Sequence, residues 1–180
     1  MDDLYRVCVK LYASERSGAV DDAVFVEIFQ EWIRDRALDM VLFDVADYAH
    51  APISPGIMLI TDEANFALDR ADGHFGLLGQ RRKPIVGDAV AAISTTVAQV
   101  MEIADRLERD PRVGGKLEFE RSSLRIESND RLRAPNTDDG YAGFEMLTRA
   151  ALERVRPQGD VRLSRVGNDA RDRLAVEAKL

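Results

Sequence analysis

The reading of one stretch, MVLFDVADYAHAPISPGIMLITDEANFALDRADGHFGLLGQRRK (Met40–Lys83), decides the fold. Met40 to Val45 is almost wholly apolar and reads as a central strand, because a strand buried on both faces loses its alternation. The segment then meets Asp44, Asp47 and His50 and enters a loop bracketed by Pro52 and Pro55. From Ile57 a long strand is expected, with Met58, Ile60, Ala64, Phe66 and Leu68 on one face. Asp72-Gly73 marks a tight turn, since glycine tolerates the positive φ such turns require. A loop over 70–73 would set Phe66 against Leu77 and Asp62 against Arg81, and a change of two in loop length would keep the faces. The return strand ends in Arg81-Arg82-Lys83.

Outward from this hairpin the period switches between two and 3.6. Tyr5, Val7, Val9 and Leu11 alternate with Arg6, Cys8 and Lys10, the pattern of a half-buried strand. Asp21-Asp22 caps a helix whose stripe is Phe25, Ile28, Phe29 and Trp32. After Pro84, Asp88 opens a helix of about six turns. On it Val90, Ile93, Val97, Val100, Ala104 and Leu107 form a seam suited to packing on a sheet or to self-association. Leu117–Glu120 and Leu124–Glu127 suggest a hairpin about Ser122-Ser123. A third helix, through Phe144, Leu147, Ala151 and Val155, precedes two closing strands, Val161–Val166 and Leu174–Ala178.

Hairpins outnumber strand–helix alternations, so the expected class is α+β: a mixed, mainly antiparallel sheet covered by about three helices, with two ferredoxin-like layers as one arrangement. A chain of 180 residues fits a single domain spanning 1–180, with 110–116 as an internal loop.

Composition narrows the function. A net charge of −7 and a pI of 4.9 argue against nucleic acid and against an anionic membrane surface as partners. The first residues, Met1-Asp2-Asp3-Leu4, are acidic where a signal peptide is basic, and the single Cys8 forms no internal disulfide, so a cytoplasmic location is expected.

Candidate chemistry gathers at strand ends. Asp47, His50 and Asp62 are the metal candidates, because a histidine with carboxylates suits a divalent ion. Asp47, His50, Glu63, Arg81 and Arg82 are the ligand-binding candidates, the arginines suiting a small anionic ligand. Alternation divides Asp62 from Glu63 and Arg81 from Arg82. Charge clusters at strand ends also form purely structural ion pairs. Gly73, Gly76 and Gly79 lie along a strand, which defeats a dinucleotide-loop reading. Cys8 reads as a packed thiol.

No sequence motif diagnostic of catalysis is present. The expectation is a non-catalytic module without a cofactor, a homodimer binding a small ligand or a protein partner. The alternative is a divalent-metal-dependent hydrolase acting on an anionic small molecule.

Overall fold

A computed structural model describes residues 4–50, 55–157 and 159–180. The chain runs β1 (Val7–Tyr12), α1 (Asp22–Asp35), β2 (Leu42–Asp47), β3 (Ile57–Thr61), β4 (Ala64–Asp69), β5 (Gly76–Arg81), α2 (Ala89–Arg109), β6 (Ser123–Ser128), α3 (Asp138–Val155), β7 (Arg162–Arg165) and β8 (Ala175–Lys179). The class is α+β. Among the described residues, eight strands join one antiparallel sheet in the order β2-β3-β4-β5-β1-β6-β8-β7. The first strand lies inside the sheet, between β5 and β6, and its hydrogen bonds span the 110–116 loop.

Each helix begins where a side chain can satisfy its free N–H groups. Asp21, Asp88 and Thr137 accept from the backbone N–H of Ala23, Ala91 and Gly140 at 3.0, 3.0 and 3.1 Å. The apolar stripes of the three helices share one core with Val7, Val9, Leu11, Leu59, Phe66 and Leu77 of the sheet. The α2 stripe is spent there: Ile93, Val97, Val100, Ala104 and Leu107 are all fully buried within the chain. The seam that suggested self-association is therefore occupied by the sheet and by α3. Gly79 lets α2 settle close, since a Cβ on it would lie 2.5 Å from Val100 Cγ2.

Four expectations are corrected. The long strand from Ile57 folds back at Asp62-Glu63 into β3 and β4. Thr61 closes that turn, its Oγ1 donating to the Ala64 carbonyl at 2.6 Å and accepting from the Ala64 N–H at 3.2 Å. Crossing a two-residue turn reverses the alternation, so Leu59 rather than Met58 shares a face with Phe66. Beyond it, Phe66 pairs with Gly79 and Leu68 with Leu77, two residues from the expected register, because the connection runs through 70–75. The strand through Leu42 forms an edge, not the centre, with Phe43 more than half exposed. Finally, 117–120 does not pair with β6, both of whose edges are taken by β1 and β8; Phe119 bridges to Ala13 instead.

Candidate functional site

The sheet has a second face, opposite the helices. Cys8, Lys10 and Tyr12 of β1 point there, and register places Gln80, Leu78 and Gly76 of β5 beside them. On β1's other side, Glu127 and Arg125 of β6 stand opposite Cys8 and Lys10. Cys8, Met58 and Ala67 are buried on this face without joining the core beneath the helices. A cavity of about 260 Å³ opens here, floored by Cys8, Leu78 and Gln80.

Charges close the cavity at two ends. At one end, Lys10 Nζ donates to Asp69 Oδ2 at 2.7 Å, to Asp72 Oδ1 at 2.5 Å and to the His74 carbonyl at 2.9 Å. The Lys10 side chain is only 5% exposed and that of Asp69 only 7%. Gly76 gives the lysine its path across the sheet, since a Cβ there would stand 3.1 Å from Lys10 Cε and 2.6 Å from the Leu11 carbonyl oxygen. Burial works to raise the Asp72 carboxyl, but hydrogen bonds from Lys10 and from the His74 N–H, with the lysine charge, hold it below the usual range. Tyr12 donates its hydroxyl to Asp72 Oδ2 at 3.3 Å. Burial first, and the Asp72 charge next, push its phenol up to about 12.

At the other end, Glu127 takes two guanidiniums. Arg125 Nη2 lies 3.0 Å from its Oε2, and Arg173 Nη1, from the loop before β8, lies 2.9 Å from its Oε1. Between the ends, burial and then the Glu127 charge push the Cys8 thiol up to about 12, so it stays protonated and is a poor nucleophile at neutral pH.

The residues singled out in the sequence lie elsewhere and do not converge. Asp47 pairs with Ile57 and Leu42 with Thr61, so Asp47 and Asp62 occupy opposite ends of the β2–β3 ladder, about 16 Å apart at the usual rise per residue. Asp47 Oδ1 accepts from the Ala49 N–H at 2.9 Å, and His50 is exposed beside it. At the far end Asp62 meets Lys83 at 3.4 Å and Glu63 meets Arg81 at 3.5 Å, while Arg82 donates to the Thr61 carbonyl at 2.8 Å. Asp62 and Glu63 line a second cavity, of about 720 Å³, with Arg36 and Asp39. The set Asp47, His50 and Asp62 is thus not assembled, and no group of three or more metal-ligating side chains occurs among the described residues. Met1, Asp2, Asp3, Pro52 and Ser54 lie outside the described residues.

Lys10, Asp69, Asp72, Arg125 and Arg173 carry no sequence signal as a site. The one clue is a lysine amid the alternation of a strand, which reads equally well as a solvated face. No protein-family model matches the chain, and no curated protein matches it either. No helix among the described residues is long and apolar enough to cross a membrane.

Proposed function

We propose that the chain is a non-catalytic small-ligand-binding module whose site is the cavity on the helix-free face of the sheet. The observation that carries this reading is the burial of Lys10 and Asp69 in the wall of that cavity. Taking both charges out of water costs several kcal/mol per ion, and apolar residues of similar volume would stabilise a sheet as well or better. Buried charge beside a cavity therefore favours recognition over stability. The size of the cavity, somewhat under the range that holds drug-sized ligands, suits a small polar molecule. A cytosolic setting fits the acidic charge and the single cysteine. The protonated Cys8 and the full set of partners around Lys10 favour binding over catalysis.

The test is amide NMR on ¹⁵N-labelled protein with a panel of small polar fragments at millimolar concentration. Shifts should concentrate at Cys8, Lys10, Leu78, Gln80 and Glu127 and vanish in Leu78→Trp, where the indole fills the floor. Shifts that ignore these residues, or none with any fragment, would overturn the reading.

A further inference from the structure

β2 ends the sheet, so one row of its backbone groups has no strand beside it among the described residues. The Tyr48 N–H donates inwards to the Gly56 carbonyl at 3.0 Å. Alternation then turns Asp44 and Ala46 towards β3, and Val45 and Asp47 outwards. Protected edges are short, charged or bulged. The opposite edge, β7, has four residues with an arginine at each end. β2 has a bulge between Leu42 and Asp44 and acids at Asp44 and Asp47, yet it also exposes Val41, Phe43 and Tyr48 at 57, 56 and 44%. These are three of the six large apolar side chains exposed among the described residues, and protection of an edge does not call for them.

The charge along this edge is acidic. No lysine or arginine occurs between Arg36 and Arg70. Lys83 and Arg81 answer Asp62 and Glu63, and the sole cation of α1, Arg34, is held by Asp35 at 2.8 Å. Asp39, Asp44 and Asp47 form no ion pair among the described residues, which leaves three carboxylates against the guanidinium of Arg36, a net −2. Asp44 Oδ1 accepts instead from the Val45 N–H at 2.8 Å, so this carboxylate caps an outward donor of the edge.

We propose that the β2 edge takes an extended segment of another protein as an added strand, with lysine or arginine facing Asp44 and Asp47. Backbone pairing supplies the affinity of such a complex and side chains its specificity. A basic residue opposite Asp44 gives the carboxylate a charged partner and draws it off the Val45 N–H, which is then open to the new strand. A neutral or acidic strand leaves that donor capped. A second copy of β2 would bring like carboxylates together along the seam. Val41 and Phe43 offer the apolar contact.

The probe is a capped eight-residue peptide of valine and threonine with two lysines three positions apart, added to ¹⁵N-labelled protein. Amide shifts should concentrate at 41–48, and the Val45 and Asp47 amides should gain protection from hydrogen exchange. The lysine peptide should bind at least about tenfold more tightly than its glutamine counterpart, and Asp44→Ala should narrow that gap. Of two versions N-methylated at alternate residues, one should lose binding. Equal binding of the glutamine peptide, binding by both N-methylated versions, or an absence of shifts at 41–48 would overturn the proposal. So would a dimer of the chain alone with these amides in its seam.

Discussion

Lys10 Nζ lies 2.7 Å from Asp69 Oδ2 across two strand positions, with both side chains withdrawn from water. Removing one member leaves the other buried without its partner. Lys10→Met should cost about 3–5 kcal/mol, read as a lower urea midpoint with an unchanged slope. Lys10→Met combined with Asp69→Leu should recover most of that loss, because no carboxylate then remains dry at that position.

The Gly79–Val100 approach is a steric claim. Gly79→Ala should destabilise by about 1–3 kcal/mol, since its Cβ would fall 2.5 Å from Val100 Cγ2 and 3.2 Å from the Phe66 ring. Val100→Ala in the same chain should restore part of the loss, and thermal melts of the two single variants and the double variant measure that coupling. Simple additivity would count against a direct clash.

Cys8, alongside Tyr12, bears on the alkaline limit. Its folded pKa of about 12 lies above the ordinary 9.0, so its contribution to stability is complete below about pH 9 and is lost as pH climbs towards 12. Cys8→Ala should flatten that part of the stability profile. A thiol-trapping reagent should leave the folded protein unmodified at pH 8 and label it stoichiometrically in urea; rapid labelling of the native state would contradict the burial.

Asp72 works in the other direction. A carboxyl held below its ordinary pKa contributes stability above about pH 4 that is lost as pH falls through the folded value. Denaturation series at falling pH should therefore show a shallower acid limb in Asp72→Asn than in the parent chain.

The separation of Asp47 from Asp62 makes a prediction of its own. Mn²⁺, Mg²⁺ and Zn²⁺ should leave the melting temperature unchanged, because a metal held by the native state alone would raise it. A metal-dependent rise abolished by both His50→Ala and Asp47→Asn would restore the site suggested by the sequence.

The elements themselves were largely legible. Periodicity placed the three helices and the alternation of β1, and the caps Asp21 and Asp88 marked the starts of the first two helices. The turn at Asp62-Glu63 was hidden because it contains no glycine, proline or asparagine; the Thr61 hydroxyl supplies its closing contacts. The central place of β1 was equally hidden, because strand order is settled by pairings many residues apart. That concealed the candidate site as well. Lys10 is buried only because Leu78 and Arg125 flank it and a distant hairpin folds Asp69 and Asp72 over its ammonium. Asp47, His50 and Asp62 looked adjacent because they follow one another along the chain, whereas a hairpin carries its two ends apart.

The interior position of β1 also bears on how the protein is made. β1 leaves the ribosome before its partners, and gains its β5 neighbour only after Arg81 has emerged and its β6 neighbour only after Ser128. Until then its Val7, Val9 and Leu11 have no complete sheet to join, and the nascent chain carries an unsatisfied strand. Such long-range pairing slows folding and lengthens the exposure of an aggregation-prone edge. A ribosome stalled near residue 110 should accordingly present a chaperone client, while one stalled past the end of β8 should present the native sheet.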